Sequence, residues 1–126
     1  MKVLLDTNAL MVPEQFGVDI FSEMLRLGYV ECLVPGPVLR ELRHLTERAD
    51  KGRDKLAARV GLGLAERCKV ISSGEDADLA LEDLAIREKA AVFTNDKELK
   101  KRLIRKGITV IYLRQSRYLE ATKKEF

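Results

Sequence analysis

Hydrophobic and polar positions along the chain follow two periodicities. Short apolar runs bounded by polar residues predict buried strands, and apolar residues repeated every three or four positions between them predict helices with one buried face. The pattern predicts five strands: Lys2–Asp6, Val30–Pro35, Lys69–Ser72, Ala90–Thr94 and Ile108–Leu113. Because helical segments separate the strands, the expected fold class is α/β, with a three-layer α/β/α arrangement around a five-stranded parallel sheet.

The helical segments are bounded by recognisable stop signals. The first has the apolar spacing of a helix over Val18–Gly28, and the second opens at Gly36. The charged stretch Asp50–Asp54 divides the chain between the second and third strands into two helices. A basic helix is predicted over Asp96–Lys106, whereas the polar tail Gln115–Phe126 has no predicted conformation.

Composition narrows the class of protein. The chain has 126 residues, of which 46% are hydrophobic and 34% charged, and this fits one globular domain over residues 1–126. The apolar run at the start ends at Asp6 and is too short for a signal peptide, so we expect a cytoplasmic protein. Abundant Lys, Arg and Glu with little Asn and Gln favour a heat-adapted source.

Cys32 and Cys68 stand far apart in the sequence, and we expect them to be buried, unbridged thiols.

Four acidic residues follow four of the predicted strands. Ligands of parallel sheets bind beyond the carboxyl ends of the strands. Asp6 ends the first strand and Asp96 follows the fourth, while Glu41 and Asp78 lie early in the helices after the second and third strands. The sequence therefore predicts that four carboxylates meet at one edge of the sheet.

Carboxylates gathered in this way repel one another, and at neutral pH they need either shifted pKa values or a cation between them, of which a divalent cation is the simpler solution. Oxygen ligands favour Mg²⁺ or Mn²⁺, whereas zinc prefers nitrogen and sulfur, and the chain has one His and two separated Cys. Two such ions could activate a water and stabilise the leaving oxygen of a phosphodiester.

The competing interpretation is that Asp and Glu occur at helix starts as caps. Asp6 lies outside any predicted helix start, which weakens that interpretation for it. Asp76 is the expected helix cap, and Glu82 is expected to be solvated.

Several short motifs resemble the PIN domain family: Asp6-Thr7-Asn8, Pro37-Val38-Leu39-Arg40-Glu41-Leu42, Asp78 after a Gly-Glu-Asp turn, and Thr94-Asn95-Asp96. The resemblance covers nearly the whole chain. It implies a metal-dependent nuclease related to the flap endonuclease fold, with Mg²⁺ or Mn²⁺ as cofactor and Asp6, Glu41, Asp78 and Asp96 as catalytic metal ligands. The acidic doublet Asp76-Ala77-Asp78 departs from the Ala-Asp-Asp of some members, so Asp76 is either a water-mediated ligand or a cap.

Other residues of these motifs are expected to support the ligands. Thr7 and Thr94 could hold carboxylates in place, and Asn8 and Asn95 could orient ligands or substrate. A role in a local turn is an equal alternative for Thr7 and Asn95.

Basic residues follow two of the acids, and the net charge of the chain is +3. Arg40, Arg43, Lys97 and Lys101 are the candidates for contact with RNA phosphates, the alternative being ordinary solvated helix faces. The expected partners are RNA, an antitoxin protein and a second copy of the chain. The resemblance implies a dimer, since PIN proteins commonly dimerise, and the aliphatic strand Ile108–Leu113 is expected to lie at a sheet edge that needs cover.

Three classes of function remain open. The leading one is a ribonuclease, either a VapC-like toxin of a toxin–antitoxin pair or an rRNA-processing endonuclease. The second is a non-catalytic module that binds RNA or a ribonucleoprotein. The third is phosphoryl transfer through an aspartyl nucleophile, which is weakened because Asn8 stands where the dehalogenase motif has its second Asp.

Overall fold

The computed structural model describes residues 1–48, 52–71 and 77–122, with the backbone alone for residues 77–80. Its strands are β1 (Lys2–Leu5), β2 (Glu31–Pro35), β3 (Lys69–Ile71), β4 (Ala91–Phe93), β5 (Val110–Arg114) and β6 (Tyr118–Ala121). Its helices are α1 (Thr7–Phe16), α2 (Ile20–Arg26), α3 (Gly36–Arg48), α4 (Gly52–Ala65), α5 (Ala77–Glu88) and α6 (Lys97–Arg105).

The strands form one mostly parallel sheet in the order β3-β2-β1-β4-β5-β6. The five parallel strands and the α/β class confirm the prediction, and β6 adds an antiparallel sixth strand from the tail. Because β6 pairs along Ile111–Arg114 of β5, the expectation that Ile108–Leu113 lies at a sheet edge was wrong. The structure therefore removes one of the two reasons for which a dimer was expected.

Alternate residues of β1 face two separate cores, which makes the fold three-layered. Val3 and Leu5 pack in the cluster that contains residues of α1–α4. Leu4 packs on the opposite face with Leu81 of α5 and Leu103 of α6. Burial on both faces explains why β1 is continuously apolar.

Helix α1 was not predicted, since Pro13 lies inside it and lacks the backbone N–H of a regular helix. Asp6 is its N-cap, and the Asp6 side chain accepts a hydrogen bond from the N–H of Ala9. The sequence-based view that Asp6 lies outside any helix start was therefore wrong. Helix capping alone is a sufficient reason for an acid at this position.

The prediction of unbridged cysteines was also wrong, because Cys32 and Cys68 form a disulfide. The parallel register places Leu33 opposite Lys69, so the preceding cysteines are neighbours with Cα atoms 4.9 Å apart. Their sequence separation of 36 residues hides this pairing. Intracellular disulfides are rare except in hyperthermophiles, a setting that the expected heat-adapted source allows.

Glu82 was expected to be solvated, and the structure buries it instead. Its side chain is 7% exposed, and its two carboxylate oxygens accept hydrogen bonds of 2.7 Å from Arg102 and Lys106 of α6. The hydrogen bonds from Lys106 and Arg102 hold the pKa of Glu82 below its ordinary value. Glu82 thus links α5 to α6 through charge-assisted contacts.

No helix in the described part of the chain is long and apolar enough to cross a membrane.

Replacing Glu82 by Gln is expected to lower the free energy of unfolding by about 1–3 kcal/mol near neutral pH, because two cations lose a charged acceptor. A carboxyl group whose pKa is depressed in the folded protein stabilises it above the pKa of the unfolded chain and loses that effect as the pH falls through the folded value. The stability difference between Glu82→Gln and the parent should therefore shrink in acid. Urea unfolding across acidic and neutral pH measures this.

Glu47→Gln is the matched control, since Glu47 is an exposed residue of α3. Its unfolding should stay within about 0.5 kcal/mol of the parent. Equal losses in the two variants would contradict a stabilising role for the Glu82 contacts.

Candidate active site

Three of the candidate acids lie at the carboxyl edge of three neighbouring strands. Leu5 at the end of β1 lies opposite Phe93 at the end of β4, and β1 also pairs in parallel with β2. The backbone N–H of Asp6 continues this pairing with a 3.3 Å hydrogen bond to the carbonyl of Phe93. Asp6 therefore lies centrally, beside the segment that leads to Asp96.

The carboxylate of Asp6 is buried and has a fixed orientation. The residue is 7% exposed, and its Oδ1 accepts a 2.7 Å hydrogen bond from the N–H of Ala9. This bond uses one oxygen of the carboxylate to begin α1. The Asp6 side chain thus caps the first helix and is also the first candidate metal ligand, and one hydrogen bond serves both roles.

Glu41 reaches the same region from α3, which follows β2. Its Oε2 accepts a 2.9 Å hydrogen bond from the hydroxyl of Thr7, the residue next to Asp6. Thr7 is only 5% exposed, so this hydroxyl is a rigid donor. The contact joins residues 34 positions apart and brings the Glu41 carboxylate toward the end of β1.

Asp96 caps α6 at the end of the β4 segment. Its Oδ1 accepts hydrogen bonds from the N–H groups of Glu98 and Leu99, at 2.9 and 3.2 Å. Its own N–H donates to the hydroxyl of Thr94, a fully buried residue, at 3.1 Å. Among the described residues, the Thr94 hydroxyl therefore holds the backbone of Asp96. Within the described chain, Oδ2 of Asp96 accepts no hydrogen bond.

The structure does not describe the whole candidate site. Asp76 and the side chain of Asp78 lie outside the described residues, although the backbone of Asp78 lies in the first turn of α5. Among the side chains that are described, no three His, Cys, Asp or Glu lie close enough together to hold a metal ion. Asp6, Glu41 and Asp96 offer only carboxylate oxygens, so the donor set fits Mg²⁺ or Mn²⁺ in kind.

The two asparagines of the motifs differ in their surroundings. Oδ1 of Asn95 accepts a 2.8 Å hydrogen bond from the N–H of Leu113 and so attaches the β4–α6 loop to β5. Asn8 is exposed in the first turn of α1. The Asn95 contact favours the structural alternative for that residue.

The four basic candidates are all exposed, two on α3 and two on α6. Arg40 lies near the start of α3, and its Nη1 lies beside Gly36. A Cβ atom, if Gly36 had one, would be 3.5 Å from this nitrogen. Arg43 lies two residues from Glu41, about 200° around the helix, and lines a cleft of about 380 Å³ with Leu39 and Leu62. On α6, Lys97 and Lys101 are one turn apart, beginning next to Asp96. Arg43 is thus the candidate farthest in orientation from the acids.

The fold class is a mostly parallel α/β sheet with candidate acids after three adjacent strands, and comparisons with known proteins show to which family it belongs. A family profile described as "PIN like domain" matches residues 3–116. The chain is 33% identical over 114 residues to "Ribonuclease VapC9" of Archaeoglobus fulgidus, which covers 90% of this chain and 84% of that protein. It is 32% identical over 124 residues to "Ribonuclease VapC4" of Methanocaldococcus jannaschii, covering 94% and 95% respectively. The chain belongs to the PIN domain family.

Solved structures share the fold. The PIN domain endonuclease Utp24 superposes with a TM-score of 0.74 and 27% identity, over 95% of this chain and 90% of that one. VapBC2 from Rickettsia felis, bound to a DNA fragment from its promoter, has a TM-score of 0.59 and 21% identity over 80% and 92% of the two chains. At that identity the second match supports the fold alone.

Replacing Thr7 by Val is expected to weaken Mn²⁺ binding about 10- to 100-fold, because the Glu41 carboxylate loses the donor that holds it. Val keeps the side-chain volume close to that of Thr. Isothermal titration of Mn²⁺ into the folded variant measures the change.

Thr46→Val provides the control, since the Thr46 hydroxyl bonds only to the Arg43 carbonyl within α3 in the described structure. Its Mn²⁺ affinity should equal that of the parent. Unchanged affinity in Thr7→Val would show that the Thr7–Glu41 contact has no part in metal binding.

Proposed function

We propose that this protein is a divalent-metal-dependent endoribonuclease that hydrolyses RNA phosphodiester bonds. The observation that carries the proposal is the position of Asp6 between two anchored acids. The backbone N–H of Asp6 donates a hydrogen bond to the carbonyl at the end of β4, the strand that leads to Asp96. The hydroxyl of the next residue, Thr7, donates a hydrogen bond to Glu41. The names of the two VapC ribonuclease relatives support the same chemistry.

Asp6, Glu41, Asp78 and Asp96 are the residues proposed to hold Mg²⁺ or Mn²⁺. The metal, when bound, would activate a water molecule and stabilise negative charge on the phosphate. The protein's own part is to fix the carboxylates beforehand. The Ala9 N–H orients Asp6, the Thr7 hydroxyl orients Glu41, and the first turn of α6 orients Asp96.

Cations near these acids are proposed to bind the RNA backbone. Lys97 follows Asp96 directly and Lys101 extends the same face of α6. Arg40 lies over the first turn of α3, close to the strand ends. Arginine and lysine at such positions contribute charge that attracts phosphates without reading base sequence. Arg43 is a weaker candidate because it lines the α3–α4 cleft.

The biological setting we propose is the toxin of a toxin–antitoxin pair, held inactive by an antitoxin protein. The names of the two VapC relatives support this setting. We further propose that the protein acts in the cytoplasm and forms a homodimer.

An RNA-processing endonuclease is the second candidate. The specific observation in its favour is the match to the PIN domain endonuclease Utp24, which has the higher TM-score and identity of the two solved structures. Both candidates require the same hydrolysis at the same carboxylates. An antitoxin gene adjacent to the gene for this chain would favour the toxin.

Purified protein should cleave a labelled single-stranded RNA in Mg²⁺ or Mn²⁺ and not in EDTA, and Asp6→Asn should reduce cleavage at least 100-fold. Asn keeps an oxygen that can accept the Ala9 hydrogen bond, and it is a good helix cap. The substitution therefore removes a charged ligand while preserving the start of α1. Gel-resolved cleavage products and the midpoint of thermal unfolding are the two measurements.

Asp19→Asn is a closely matched control, because Asp19 is the exposed N-cap of α2 and accepts from the N–H of Ser22. It should cleave like the parent. RNA binding without any cleavage across several RNAs, in the presence of bound metal, would instead favour the non-catalytic module.

A further inference from the structure

The β5–β6 hairpin lies beside the candidate site and has no role in the function proposed above. Ile111 of β5 lies opposite Phe93, the last residue of β4, and β5 continues to Arg114. At about 3.3 Å per residue, the hairpin turn therefore lies about 10 Å beyond the end of β4. Because β4 leads into Asp96, the hairpin forms a wall on that side of the carboxyl edge.

The base of this wall is attached to the segment that carries Asp96. The Leu113 N–H donates to Oδ1 of Asn95, the residue before Asp96, at 2.8 Å. From α6, the ammonium group of Lys100 lies 3.6 Å from the ring centroid of Tyr112. The position of the hairpin is thus set by the same loop and helix that position the acid.

The turn itself has an unusual backbone for its sequence. The N–H of Arg117 donates to the Arg114 carbonyl at 3.1 Å, and the two central residues, Gln115 and Ser116, have φ values of +53° and +56°. Glycine and asparagine are preferred at such positions because other L-residues are strained there. The chain instead has polar side chains at the turn and an arginine immediately after it.

The two arginines of the hairpin differ in their partners. Arg114 donates a 2.6 Å hydrogen bond to Glu120 across the strands, so its charge is neutralised locally. The side chain of Arg117 is exposed and has no hydrogen bond, ion pair or ring contact with the residues that the structure describes. An uncompensated guanidinium is well suited to bind a phosphate, since its planar donors match two phosphate oxygens.

We propose that the β5–β6 hairpin binds the RNA backbone on the Asp96 side of the cleavage site, with Arg117 as its phosphate contact. This inference rests on the proposed ribonuclease function and extends it. In this proposal, an RNA strand crossing the carboxyl edge meets Lys97 and Lys101 on α6 and then Arg117 at the turn of the hairpin. The hairpin would then position flanking nucleotides and take no part in the chemistry.

The test measures RNA binding in the Asp6→Asn protein, in which cleavage is blocked. Fluorescence anisotropy of a fluorescein-labelled single-stranded RNA is followed over a range of KCl concentrations. Arg117→Glu should weaken binding about three- to tenfold and reduce the slope of log affinity against log salt by about one, the value of one lost phosphate contact. Arg117→Lys should retain the slope, and all variants should unfold at the parent temperature.

Arg87→Glu is the charge-matched control, since Arg87 is an exposed residue in the last turn of α5. The next residue, Glu88, accepts a hydrogen bond from Lys2 at the start of β1, so this end of α5 lies at the amino ends of the strands. It should leave the salt slope unchanged. Equal effects of Arg117→Glu and Arg87→Glu would overturn the hairpin proposal while leaving the ribonuclease intact. Failure of the Asp6→Asn protein to bind RNA at any salt concentration would overturn both.

Discussion

The parallel pairing of β1 between β2 and β4 is the constraint on which the rest of the site depends. Because of this pairing, the carboxyl ends of the neighbouring strands lie side by side, and the residues that follow them share one edge of the sheet. The pairing continues one residue beyond β1 through the Asp6 N–H and the Phe93 carbonyl. Since both faces of β1 are buried, a shift in register by one residue would bring Lys2 or Asp6 into a position that a buried apolar side chain now fills, and the core thereby also fixes the site.

Helix capping and ligand positioning use the same atoms in this fold. Asp6 and Asp96 each begin a helix with one carboxylate oxygen, and the N–H groups that they accept from orient the carboxylate. An acid at a helix start is therefore not evidence for metal binding by itself. What distinguishes these two from Asp19, which also caps a helix, is their place at the ends of adjacent parallel strands.

Sequence patterns captured the features set by local burial and missed those set by distant contacts. The apolar run of β1 and the basic helix α6 follow from periodicity. Strand β6 does not, since Glu23 and Arg26 of α2 bond to the backbone of Leu119, more than 90 residues away. Glu82 was misjudged for the same reason, because its burial depends on cations from α6. The candidate acids were proposed from their positions after strand ends and their role stays a prediction, whereas the contact of Thr7 with Glu41 required the structure.

The central claim is that these acids form one divalent metal site. Crystals of the protein soaked in Mn²⁺ test it most directly, through anomalous scattering measured at a wavelength where manganese contributes. The account predicts a peak at the carboxyl edge, about 2.1 Å from carboxylate oxygens that include those of Asp6 and Asp96. A well-ordered carboxyl edge without a peak, or manganese bound only elsewhere, would contradict it.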